Sequence, residues 1–230
     1  MQSNFDQIVS RIINNNHFIK LKKIVENVEG WHDHEDVFSH SLKTADIAKR
    51  ERTGKFITNR KARTLFLKWM TEETYGMKRQ DVVVLIALLH DCGKILNYHE
   101  GKNTKSLITK YPPQPSQTMC EGHEYWGGQL VVEKMLKTLG FTSKLMQYIK
   151  TVVKVHGVFS NPYFPSKQNW SLPHIIADAK AQAGGYYKEA MFSMYCDGYT
   201  ASAFTEGRKK IEEIFNDPSY YITRNYFIPK

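Results

Sequence analysis

With 230 residues, 41% of them apolar and 13% aromatic, the chain is long enough to bury a sizeable core and has the balance of a globular protein. No stretch approaches the roughly 18 uninterrupted apolar residues of a membrane span, and the first residues lack a secretory leader's basic-then-apolar order, so the sequence predicts a cytoplasmic protein. The net charge of +9 favours polyanionic or phosphorylated partners, and three cysteines (Cys92, Cys120, Cys196) without CxxC spacing suggest neither a disulfide framework nor a zinc ribbon.

Helical periodicity starts at once, with Phe5, Ile8, Val9 and Ile12 on one face. "WHDHEDVFSH" (31–40) then leads into a helix whose Leu42, Ala45 and Ile47 are half-buried behind His40. Residues 49–68 hold eight Lys or Arg against one Glu, a run that reads more readily as a solvated helix face than as a track for a phosphate backbone. An apolar run, Val82 to Leu89, stops on His90 and Asp91, with Gly93 and Lys94 close behind. Residues 99–122, with paired prolines and several lysines, read as a long loop, and Lys102, Lys105 and Lys110 in it are expected to contact substrate. His123 precedes a helical stripe of Val132, Met135, Leu136 and Leu139 that Gly140 ends. A third stripe, Ile149, Val152, Val153 and His156, follows a Thr142 or Ser143 cap, and residues 157–170 make a second loop. The fourth runs Leu172, Ile175, Ile176 and Ala179, with Ser171 as cap and Pro173 in the first turn. No run alternates with period two and no repeat or linker interrupts the pattern, so the expectation is an all-α chain forming one domain over 1–230.

Neighbouring residues on a helix point about 100° apart, so His90 and Asp91 can share an ion only beside the helix end, where the chain turns at Gly93. An imidazole with a carboxylate suits first-row divalent metals. The dipeptide alone is worthless as a signal. His40, His123, His156 and Asp178, each taken singly, read better as hydrogen-bonded core histidines or a capping carboxylate. Five helix-associated segments that each offer a ligand at a core-facing position point instead to a metal centre. Asp197, in "MYCDGYT", rivals Asp178 for the last position. Glu124 either orients His123 or simply starts its helix, while His32 and His34, flanking Asp33, read as a polar approach to the following helix. His99 and His174 are assigned to solvent or caps.

In this order the residues resemble the HD-domain phosphohydrolase superfamily. "ALLHDCGK" is similar to its H-D-x-G-K signature, "IIADAKAQ" resembles its closing helix with the last carboxylate, and the likeness spans about residues 31–200. It implies a helical bundle with a metal site between helices. The ligands would be His40, His90, Asp91 and Asp178 for one divalent ion, with His123 and His156 adding a second that Asp91 bridges. The ions would be Fe, Mn, Co, Ni or Zn, one or two of them. It implies attack of a metal-bound hydroxide on phosphorus, with Asp91 and Lys94 catalytic and Lys94, Lys102 and Lys105 binding substrate. Without the resemblance, Lys94 is as well read as a surface lysine after a helix end. "WHDHEDVFSH" and "GHEYWGGQLVVEKMLKTLGF" resemble the HD domains of bacterial tRNA nucleotidyltransferases and RNA-end-processing proteins, which hydrolyse phosphate esters including 2′,3′-cyclic phosphates. The implied partner is therefore a phosphorylated small molecule or a nucleic-acid end. A hydrolase of free nucleotides or dinucleoside polyphosphates, and a non-catalytic nucleotide-binding module, stand as alternatives.

Overall fold

Short polar side chains fix where the helices begin. In the computed structural model, described over residues 4–28, 32–95, 123–159 and 171–221, Asp36 accepts from Ser39 N and Ser39 Oγ to start α3 (Val37–Glu51). Asn59 accepts from Ala62 N to start α4 (Arg60–Thr71), and Thr142 from Leu145 N to start α8 (Ser143–Lys154). Each satisfies one of the orphaned donors of a first turn. Before α3 come α1 (Asn4–Ile13) and α2 (Asn16–Ile19).

The centre of the molecule is α5 (Arg79–Leu89), buried at every position from Val82 to Leu89. A helix apolar on all sides has no solvent face and must be wrapped. The helices α3, α4, α8 and α10 (Tyr187–Asp197) pack on it. Each aliphatic side chain so buried contributes roughly 1.5–3 kcal/mol, which makes α5 the element least free to move. The second all-buried helix is α10, covered from Ala190 to Cys196. Around these two lie α6 (His123–Trp126), a π-helical segment Gly127–Val132, α7 (Glu133–Thr138), α9 (Leu172–Ala183) and α11 (Thr205–Asn216).

The helical expectation holds, with two small additions. β1 (Val25–Val28) pairs antiparallel with β2 (His32–Asp36), and β3 (Glu73–Thr74) with β4 (Met77–Lys78). The first ribbon shifts register between Glu26 and Asn27, which breaks the alternation that would betray it, and the second is too short to show a period. The stripe expected to run through His156 ends at Lys154, and His156 opens a tight 3₁₀ turn to Phe159. Residues 99–122, with Lys102, Lys105 and Lys110, lie outside the described residues, as do Cys120, His99 and most of the second loop. Cys92 and Cys196 are free and buried. Among the described residues no helix is long and apolar enough to cross a membrane.

Candidate metal centre

The apolar run ends where its helix ends, and the first two polar residues turn into the core rather than into water. His90 caps α5 with no exposed surface, and Asp91 is 2% exposed. His90 Nδ1 lies 2.7 Å from Ala87 O, one turn back. A neutral ring making that bond must donate from Nδ1, which leaves the Nε2 lone pair aimed forward. His156 repeats the device, its Nδ1 2.6 Å from Val153 O.

Two glycines then bring in the next ligand. A Cβ on Gly93 would lie 1.9 Å from His123 O and 2.6 Å from Gly127 N, so the turn after Asp91 sits backbone to backbone against the helix that His123 opens. Gly127 is under the same constraint, since its own Cβ would come within 2.7 Å of Gly93 N. Only residues without side chains permit this approach. It places His123 Nε2 2.9 Å from Asp91 Oδ1. The π-helical segment, wider than an α-helix, starts at Gly127, and such segments are frequent beside functional sites.

The two oxygens of Asp91 face different partners. Oδ2 lies 3.2 Å from His90 Nε2, 3.8 Å from His40 Nε2 and 2.8 Å from the Lys94 ammonium. Oδ1 faces His123 and, at 3.9 Å, His156 Nε2. Asp197 closes the first group, its Oδ1 2.8 Å from His40 Nε2 and 3.2 Å from His90 Nε2. His40, His90 and Asp197 thus offer ligand atoms all within 4.8 Å of one another, and so do His90, Asp91 and His156.

Among the described residues the carboxylate that converges with His40 and His90 is Asp197, where the sequence reading expected Asp178. Asp178 sits half-buried on α9, where its Oδ2 accepts from Gln182 Nε2 at 2.8 Å, in neither ligand group. The buried line of α9 is Ile175, Ala179 and Ala183, at steps of four, and Asp178 is about 100° off it. Asp197 ends α10, whose uniform burial gave no stripe from which to read a direction. Glu35 is a residue the sequence reading did not single out. Its carboxylate lies 4.0 Å from His40 Nδ1 and is held by Lys43 at 2.6 Å, behind a ligand as second-sphere acids stand. Glu124 stands likewise 3.5 Å from His123 Nδ1. Lys94 does reach the site, but its ammonium is paired with Asp91 in a setting only 4% exposed. The side chains of His32, Asp33 and His34 lie outside the described residues, and His174 is exposed in the first turn of α9, its Nδ1 3.0 Å from Ser171 Oγ.

The electrostatics fit a cation. Burial opposes charge on Asp91, yet His90, Lys94 and His123 hold its carboxyl well below the usual range. Burial likewise opposes charge on Asp197, and His90 and His40 hold it down. Burial also opposes a proton on His90, but Asp91 and Asp197 push that imidazolium up to about 10. His156 goes the other way, lowered to about 4 by burial and by His90 and His123. Without a cation, neutral His90 would aim its Nε2 lone pair at two carboxylate oxygens 3.2 Å away, and that atom is buried with no hydrogen-bond partner. A proton relieves this conflict, and so does a metal ion. The imidazole and carboxylate donors suit first-row divalent ions.

No curated protein matches the chain at a significant level. The family profile described as HD domain matches residues 37–190, a span that contains His40, His90, Asp91, Lys94, His123, His156 and Asp178 and ends before Asp197. By that match over most of its length, the chain belongs to the HD domain family, in the superfamily of metal-dependent phosphohydrolases.

Proposed function

We propose that the protein hydrolyses nucleotide or RNA-terminal phosphate esters, 2′,3′-cyclic phosphates included, with one or two divalent ions. The observation that carries this reading is the divided carboxylate of Asp91, with His40, His90 and Lys94 on one oxygen and His123 and His156 on the other. His40, His90, Asp91 and Asp197 would hold the first ion, and Asp91, His123 and His156 the second. A bound ion of this kind lowers the pKa of its water from 15.7 to about 7 and polarises the phosphoryl oxygens. The chain's own residues do the rest. Ala87 O and Val153 O fix the ring tautomers of His90 and His156, and Glu35 and Glu124 back His40 and His123. Lys94 supplies a buried positive charge beside Asp91, placed to offset negative charge that grows on a phosphate in the transition state.

The RNA half of the reading rests on the likeness of "WHDHEDVFSH" and "GHEYWGGQLVVEKMLKTLGF" to RNA-end-processing HD domains, and on a net charge of +9 that suits a polyanion. The experiment is metal reconstitution followed by a panel of free nucleotides, dinucleoside polyphosphates and short RNAs ending in 2′,3′-cyclic or 3′-phosphate. Metal-dependent turnover of the RNA ends, with binding that weakens steeply as salt rises, supports the reading. Turnover of free nucleotides alone rejects RNA in favour of a nucleotidase. Binding without turnover in every metal rejects the enzyme.

A further inference from the structure

Three helices that lead to the metal centre also carry the walls of a second site. Arg79 opens α5, Tyr148 lies on α8 and Glu189 near the start of α10. With the β3–β4 turn and Gly185–Tyr186 they line a pocket of about 260 Å³. Glu189 precedes Asp197 by eight residues, about 12 Å of helix rise, so this pocket is separate from the ligand cluster.

Its walls are aromatic and acidic. The rings of Tyr75 and Tyr148 lie 5.9 Å apart and those of Tyr148 and Tyr186 5.0 Å apart, a continuous cluster of three. Arg79 brings no spare positive charge. Its Nε donates to Glu189 at 3.0 Å, its Nη1 to Glu72 at 2.5 Å and to Trp69 O at 2.6 Å, and its guanidinium lies 5.2 Å from the Trp69 ring. Glu73 adds a further carboxylate at the rim. Aromatic faces beside carboxylates are the chemistry that holds an organic ammonium. The chain itself shows this chemistry next door, where the Lys188 ammonium lies 5.8, 5.6 and 5.7 Å from the rings of Tyr187, Tyr220 and Tyr221.

Two oddities of the sequence fall in the same pocket. Tyr75 and Gly76 form the tight turn between β3 and β4 with φ of 53° and 89°, a turn that favours asparagine then glycine. A tyrosine there is strained, and the residue is 47% exposed. Such strain persists where the residue does something else. Thr74 Oγ1, beside it, is buried without a hydrogen-bond partner and lines the pocket.

We infer that this pocket binds a small organic cation, an alkylammonium or methylated ammonium held among Tyr75, Tyr148 and Tyr186 with Glu73 at the rim, at a site separate from the metal centre. The probe is choline, compared with dimethylbutanol, its uncharged carbon isostere, each titrated into the full metal-loaded chain by calorimetry and by tyrosine NMR shifts. Choline should bind about tenfold or more tightly than the isostere, in line with a desolvated cation–π contact. Tyr75→Ala should weaken it by a similar factor. Gly185→Leu should block it while the fold holds, because a Cβ at Gly185 meets nothing within 4 Å. Equal binding of the isostere, or no change in both folded variants, overturns the inference. Adenosine shifting the tyrosine resonances where choline does not overturns it as well, and makes the pocket a stacking site for a base.

Discussion

The two ends of α5 both bury charge, and they settle it in opposite ways. At the start, Arg79 spreads one positive charge over Glu72, Glu189, the Trp69 carbonyl and the Trp69 ring, while Glu189 also accepts from the Tyr148 hydroxyl at 2.6 Å. Both Nε and Nη1 of Arg79 reach acceptors there. At the finish, Asp91 and Asp197 crowd around His40, His90 and His123, and only shared protons and Lys94 balance them. The first network is closed and holds the fold. The second sets two carboxylates against rings whose Nε2 atoms face inward, a balance that a divalent ion would complete. Burial alone does not distinguish structure from site. The balance of donors against acceptors does.

The comparison breaks most sharply at Asp197. Asp197→Asn removes a ligand from the open end, and metal affinity should fall at least about 100-fold, the upper end of what even second-sphere partners cost. Elemental analysis after equilibrium dialysis reads it directly. Full retention of metal would show that His40, His90 and Asp91 suffice and would reject the four-ligand site. Gly93→Ala attacks the same end through the backbone. Its Cβ would meet His123 O at 1.9 Å, so His123 must leave Asp91, with a loss of about 3 kcal/mol or more in stability. The second ion should go while the first remains, which metal stoichiometry checks.

The closed end should answer differently. Arg79→Met leaves Glu189, only 4% exposed, with the Tyr148 hydroxyl but without its cation. Stability in urea should drop by about 3 kcal/mol, the cost of an uncompensated buried charge. Metal affinity should not change, because nothing at this end touches the ligands. A variant that lost both together would mean that the two ends are one network.

Protons sharpen the contrast further. In the metal-free protein His90 carries a proton held up to about 10 by Asp91 and Asp197 after burial has opposed it, against an ordinary 6.5. A metal ion must displace that proton, so affinity rises with pH, by about tenfold per unit for one proton released. An unperturbed imidazole would stop contributing above about 7. The rise should instead continue to about 10, measured as manganese or nickel affinity alongside proton uptake by the buffer. A plateau above neutrality would show that His90 enters the site already neutral.

What the sequence made legible follows the same division. The run Val82–Leu89 is too apolar to face water, and its abrupt stop on His90 and Asp91 announced a buried polar pair. His123 and His156 came with it because each follows or precedes a stripe with a readable inner face. Helix α10 had no such face: Ala190 to Cys196 are buried on every side, so nothing in the pattern said which way Asp197 points. Glu35 lies in a short ribbon whose register shift hides its period. The tyrosine pocket was illegible for a different reason. Its walls come from a six-residue hairpin and three helices far apart in sequence, and no local pattern records such a meeting.

The smallest expected effect tests the reassignment itself. Asp178 lies on the apolar-patterned α9, and a motif-based reading makes it the last ligand. In the fold it accepts from Gln182 one turn on, at 2.8 Å, half-buried, and stands in neither group of converging ligand atoms. A hydrogen bond of that kind contributes about 1 kcal/mol, and an amide at position 178 still presents an acceptor to the same donor. Asp178→Asn should therefore leave metal content and turnover within about twofold of the parent and stability within about 0.5 kcal/mol. Measured beside Asp197→Asn in one preparation, the pair separates a ligand from a residue that only resembles one. If Asp178→Asn empties the site and Asp197→Asn does not, the carboxylate that closes the centre is on α9 after all, and α10 serves only to pack the core.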